Sequence, residues 1–125
     1  MEKPKLLNPL TLAFIGDSVY EVLVRKRVIE EMGSMSPKKL HILTVERVNA
    51  TYQCGGYEKI KDILTEEETE IFKRGRNSSS VTVPKSAGIK EYRAATGLEA
   101  LFGFLYLEGR FERIEELFEV IWQQA

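Results

Sequence analysis

The stretch that decides the fold is residues 11–25, TLAFIGDSVYEVLVR. Its apolar residues return every three or four positions, which is the period of an α-helix, and Leu10, Ala13, Phe14, Tyr20 and Val24 form one stripe. Asp17 stands inside that stripe. A carboxylate among apolar neighbours is costly unless it is paired, protonated or bound to a metal.

Working outward, Asn8-Pro9 has the form of an N-cap followed by proline at the first helical position, and Gly33 is a stop, so a helix is expected from there to about Met32. Ser36-Pro37 repeats the start signal for a second helix carrying Leu40, Leu43, Val48 and Tyr52, which Gly55-Gly56 is expected to interrupt or bend. A short helix through Tyr57, Ile60 and Leu64 follows. Thr65-Glu66-Glu67-Glu68 is a capping box opening a helix that carries Ile71 and Phe72 and ends near Gly75. Residues 76–89, RNSSSVTVPKSAGI, have no helical period and read as a loop, with 81–83 as a short extended piece. Helix resumes near Lys90 through EYRAATGLEALFGFLYLEG. Gly109 separates it from a last amphipathic helix with Phe111, Ile114, Leu117, Phe118 and Ile121 inward and Trp122 packing beside them. There is no internal repeat and no linker, so residues 1–125 read as one all-α domain.

At 43% hydrophobic and 30% charged residues the composition is that of a soluble globular chain. The formal net charge of -1 hides an uneven distribution. Between Lys73 and Arg93 lie Lys73, Arg74, Arg76, Lys85, Lys90 and Arg93 against the single acid Glu91, while Glu66–Glu68, Glu70, Glu112, Glu115, Glu116 and Glu119 flank them. This is the pattern of a polyanion-binding face, the alternative being a solvated loop. Cys54 is the only cysteine, which excludes an intrachain disulfide and fits a reducing cytoplasm. MEKPKLLNPL lacks the apolar core of a signal peptide, and no apolar run approaches a membrane span, so no membrane partner is expected.

Glu99 repeats the puzzle of Asp17. Its helical neighbours are Ala95, Thr96, Phe102, Gly103 and Tyr106, and Gly97 and Gly103 on the same helix suggest close approach of another helix or a ligand. Two such helices packed face to face would place Asp17 and Glu99 side by side. Neighbouring carboxylates repel, and a hard cation such as Mg²⁺ resolves the repulsion with one or two carboxylates plus a substrate phosphate. With the basic segment nearby, the substrate suggested is nucleic acid. The bland alternatives are an Asp17 ion pair with Arg93 or Lys85 and an exposed Glu99. His41, beside Lys38 and Lys39, is either a surface residue or a phosphate contact. Glu21 either assists the acids or pairs with Arg25 one turn on.

LAFIGDSVYEVLVR resembles the signature helix of the ribonuclease III catalytic domain, and TGLEALFGFLYLEGR resembles that domain's second acidic helix. The resemblance is closer to the short, mini-ribonuclease III form: GDSVYEVLVR, KLH, LTEEE, RGRN, TVPK and YRAATGLEALFGFLYLEGR occur in that order, from about Leu10 to Arg110. The chain departs from the long enzymes in three places. Leu10 and Ala13 stand where those enzymes have glutamates, and Thr96 where they have an aspartate, which leaves Asp17 and Glu99 as the acidic pair. No double-stranded-RNA-binding domain is expected after the catalytic one.

The resemblance implies the ribonuclease III helical fold as a two-fold homodimer. It also implies a Mg²⁺-dependent endoribonuclease for double-stranded RNA that leaves 5′-phosphate and 3′-hydroxyl ends. The implied substrate is the paired termini of the 23S ribosomal RNA precursor, with a ribosomal protein as candidate cofactor and the cytoplasm as location. Asp17 and Glu99 would be the catalytic and metal-binding residues, Asp17 the essential one. Arg74, Arg76, Asn77, Lys85, Lys38 and His41 would contact RNA. Leu12, Phe14, Ile15, Val19 and Val22 are too many for one buried stripe, so a second copy is expected to cover part of α-helix 9–32. Two rivals are a non-catalytic RNA-binding or ribosome-associated module of the same fold, and a helical protein-interaction domain.

Overall fold

A computed structural model describes residues 1–79 and 88–124. Among these residues there are six α-helices and no strand: α1 (Pro9–Met32), α2 (Pro37–Val48), α3 (Ala50–Ile60), α4 (Glu66–Asn77), α5 (Ile89–Leu107) and α6 (Phe111–Trp122), with single 3₁₀ turns at Pro4–Leu6 and Lys61–Ile63. The all-α expectation holds. The extended piece expected at 81–83 lies outside the described residues.

The helix starts follow local chemistry. The Asn8 side chain accepts from the Leu10 amide at 2.8 Å, Ser36 from Lys39 at 3.3 Å, and Asn49 from Tyr52 at 2.8 Å. In the capping box the Glu68 amide donates to Thr65 Oγ1 at 3.1 Å while the Thr65 amide donates to Glu68 Oε1 at 2.9 Å. Two expected breaks are corrected. The second helix ends at Val48, where Asn49 caps a new helix, and Gly55-Gly56 lie inside α3. Helix α4 runs past Gly75 to Asn77, so Arg76 and Asn77 are helical rather than part of a loop. The reason is the same in both cases: Gly56 and Gly75 face another helix. A Cβ on Gly56 would stand 2.8 Å from the Ile121 side chain, and one on Gly75 2.7 Å from Ala100 Cβ. By contrast Gly33 and Gly109, with φ of 68° and 73°, end α1 and α5 as expected.

Helix α5 is the hub, buried nearly all round through Leu98, Ala100, Leu101, Phe102, Phe104 and Leu105, and it packs against α1, α4, α3 and α6. The stripe of α1 that enters the core is Leu12, Ala13, Gly16, Tyr20, Leu23, Val24 and Val28. Leu10 and Phe14, expected in that stripe, are exposed instead, Phe14 at 81%. Leu12, expected on an intersubunit face, is fully buried in the chain's own core. Tyr20 packs on Phe102 and Phe118, and its hydroxyl donates to the Arg47 carbonyl at 2.8 Å. Trp122 is a packing residue as expected: it lies beside Phe118 and under the Arg47 guanidinium, and its Nε1–H donates to Glu31. No helix among the described residues is long and apolar enough to cross a membrane.

Candidate active site

The site begins with a crossing of two backbones. A Cβ built on Gly16 of α1 would lie 1.6 Å from the Glu99 carbonyl oxygen of α5, and one on Gly103 would lie 1.9 Å from the Leu12 carbonyl oxygen. Only hydrogen fits at both places, so α1 and α5 touch main chain to main chain. Asp17 follows Gly16 directly, and Glu99 supplies the carbonyl that Gly16 meets. The crossing therefore sets the two acids beside each other, as the two stripes suggested.

Asp17 and Glu99 line one cleft of about 360 Å³ with Leu10, Ala13, Phe14, Ser18, Ser79, Tyr92 and Thr96. Asp17 is exposed at its mouth, and Glu99 is half-buried. Burial is the first cause that pushes the Glu99 carboxyl up from the ordinary carboxylate value to about 7. The Asp17 charge, and a hydrogen bond to Asp17 that favours the protonated form, push the same way, while the Gln53 amide opposes them. Among the described residues Asp17 makes no salt bridge, and Glu21 pairs with Arg25 at 2.7 Å. Lys85, one suggested partner of Asp17, lies outside the described residues.

Two neighbouring carboxylates, with hydroxyls from Ser18, Ser79 and Thr96 around them, form a hard-oxygen donor set. Such a set fits Mg²⁺, which keeps several waters and takes one or two carboxylates.

Sequence reasoning missed Gln53. It is 2% exposed on α3, and its Nε2 donates to Glu99 Oε2 at 3.1 Å and to the Val48 carbonyl at 3.0 Å. The signal was available: a polar residue in the buried face of α3 made by Cys54, Gly56 and Ile60. Treating Gly55-Gly56 as a break concealed that face.

The other expected site residues are dispersed. Arg76 and Asn77 occupy the last turn of α4, where Arg76 Nε donates to Asn77 Oδ1 at 3.2 Å and the guanidinium lies over Phe72. Ser79, just beyond, reaches the acid cleft and sits 3.3 Å from Thr96 Oγ1. Arg74 spends two donors on the N-terminal segment, at 2.8 Å to the Lys5 carbonyl and 3.2 Å to the Leu7 carbonyl. His41 lines a separate groove of about 220 Å³ between α1 and α2 with Arg25, Ile29 and Pro37, and Lys38 is exposed on the same helix. The structure does not bring these two to the acids.

The Ribonuclease III domain family matches residues 10–110. The chain is 44% identical to the mini-ribonuclease 3 of Clostridium tetani over 94% of this chain and 78% of that one. It is 45% identical to the mini-ribonuclease 3 of a Thermoanaerobacter species over 91% and 80%. A crystal structure of a Fusobacterium nucleatum protein superposes with a TM-score of 0.83 at 34% identity, covering 93% of this chain and 92% of that one. The chain belongs to the ribonuclease III family of endoribonucleases, in its mini-ribonuclease 3 form.

Proposed function

We propose that this endoribonuclease cuts double-stranded RNA with Mg²⁺ held by Asp17 and Glu99, acts as a two-fold homodimer in the cytoplasm, and trims the paired ends of the 23S ribosomal RNA precursor. The observation that carries the reading is the convergence of these two carboxylates in one cleft at the α1–α5 crossing. A divalent cation bound there supplies activation of the attacking water and neutralisation of charge on the phosphodiester. Asp17, at the open mouth, is the essential acid. Glu99 is the deeper one, and a neighbouring cation would favour its anionic form. The products are a 5′-phosphate and a 3′-hydroxyl.

Duplex RNA is read mainly by shape, phosphates and 2′-hydroxyls. Arg76 and Asn77 support such contact because α4 delivers them next to Ser79 at the edge of the cleft. Arg74 lies beside them with part of its guanidinium committed to the N-terminal segment. Lys85 belongs to the same basic stretch, and Lys38 and His41 would meet RNA farther along α2. Cutting both strands takes two acid pairs, and a two-fold axis supplies them. An apolar groove of about 330 Å³, lined by Ile15, Val19, Val22, Tyr106 and Phe111, shares Ser18 with the acid cleft and supports a second copy seated there. A ribosomal protein is the candidate accessory factor.

Incubating duplex RNA and Mg²⁺ with the parent and with Asp17→Asn tests the assignment. Cleavage by the parent alone supports it. Binding without cleavage by both proteins supports a non-catalytic module, and neither binding nor cleavage supports an interaction domain.

A further inference from the structure

We propose that Gln53 is a positioning residue for Glu99, its side-chain amide fixing the orientation from which the Glu99 carboxylate meets Asp17 and a divalent cation. This rests on the assignment of Asp17 and Glu99 as the metal ligands.

Gln53 sits in the first turn of α3, fully enclosed between that helix and α5. Both hydrogens of its amide are used. One goes to Glu99 Oε2 at 3.1 Å and the other to the carbonyl of Val48, the last residue of α2, at 3.0 Å. A helix-end carbonyl has no partner of its own, so Val48 anchors the amide. Turning the amide over would set its oxygen against the Val48 carbonyl and the Glu99 carboxylate, so only one orientation is available. Its Oε1 is buried without a hydrogen-bond partner among the described residues. A residue present only to fill space would do so better as an apolar side chain of the same length, which leaves no acceptor unmatched. What such a side chain lacks is the donor to Glu99.

That donor removes rotational freedom from a flexible carboxylate. Ligating carboxylates are commonly held in this way, and loss of the holding group typically costs about 10–100-fold in metal affinity. The amide also ties α2 and α3 to the acid of α5, so two helices beyond the α1–α5 crossing hold the site.

The test compares the parent with Gln53→Met, which keeps length and removes the donor, and Gln53→Asn, which keeps the amide but shortens it by one methylene. Mn²⁺ binding to the RNA-free protein is measured by electron paramagnetic resonance. The Mg²⁺ concentration for half-maximal cleavage and the affinity for duplex RNA in metal-free buffer are measured alongside. Both variants should weaken Mn²⁺ binding by about tenfold and raise the Mg²⁺ requirement by about the same factor. RNA affinity should stay within about twofold. Folded variants that bind Mn²⁺ and use Mg²⁺ as the parent does would overturn the proposal and leave Gln53 a structural residue. Should Gln53→Met not fold, Gln53→Asn decides by the same readouts. Asp17→Asn and Glu99→Gln serve as controls. If they also bind Mn²⁺ like the parent, the ligand assignment itself fails, which is a different result from a silent Gln53.

Discussion

Replacing Gly16 by Ala inserts one methyl group where α1 and α5 touch. The new Cβ would stand 1.6 Å from the Glu99 carbonyl oxygen, 2.5 Å from its carbon and 2.9 Å from the Gly103 nitrogen. Unstrained carbon–oxygen contact begins at about 3.3 Å, so the helices must part by roughly 1.5–2 Å. No rotamer change relieves the clash, because every atom involved is backbone. Overpacking costs about 1–3 kcal/mol, and the separation also loosens Leu12, Tyr20, Leu98 and Phe102 along the same seam, so a total of about 3–5 kcal/mol is expected. That is a large share of a typical stability of about 5–15 kcal/mol. Urea denaturation followed by circular dichroism measures it as a shift in midpoint. The same movement separates Asp17 from Glu99, and a misplacement of about 1 Å in reacting groups costs about 10²-fold in rate. Cleavage in the absence of urea, at a temperature where the variant is folded, should fall by at least that factor. A Gly16→Ala protein with the parental midpoint and the parental rate would refute the backbone crossing and the way it sets the acids.

Four further outcomes follow from particular contacts. Because the folded-state pKa of Glu99 is raised to about 7, the metal-free folded protein binds more protons than the unfolded chain from about pH 4.5 to 7, and this group's contribution falls as pH rises through that window. The metal-free parent should therefore lose stability relative to Glu99→Gln between pH 5 and 7, by at most about 1.4 kcal/mol per pH unit, and Mg²⁺ should narrow the gap in thermal melts. Burial would raise the pKa of Glu68, but hydrogen bonds from Arg113 and the Thr65 amide hold it below the usual range. Arg113→Leu strands that buried carboxylate and should destabilise by about 3 kcal/mol in denaturant at pH 7, with the cost shrinking as acid protonates Glu68. Val22 is 63% exposed on the apolar groove, and Val22→Asp should shift the sedimentation velocity profile from dimer to monomer with helicity unchanged. Arg76→Ala should weaken duplex RNA binding and reduce the slope of log affinity against log salt by about 1, in filter-binding assays across salt concentrations.

Local chemistry is legible in one dimension. Asn8, Ser36 and Thr65 begin helices because a side chain within three residues satisfies a free amide, and Gly33 and Gly109 end them because each takes a positive φ. The all-α class and the family likeness are legible in the same linear pattern, whereas Asp17 is exposed beside the buried stripe rather than inside it, so its place in the cleft depends on how α1 packs. Gly16, Gly56 and Gly75 could not be assigned that way. Each looks like any helix-weakening glycine until a neighbouring helix arrives, and only then does the missing Cβ become a requirement of close contact. The same dependence hid Gln53, whose partners are five and forty-six residues away, and placed Leu12 inside the core while turning Phe14 outward. Capping and periodicity are properties of neighbours along the chain. Which face of a helix is covered, and which carboxylate meets which, depend on how distant segments pack, and that is settled by the summed energy of the whole core.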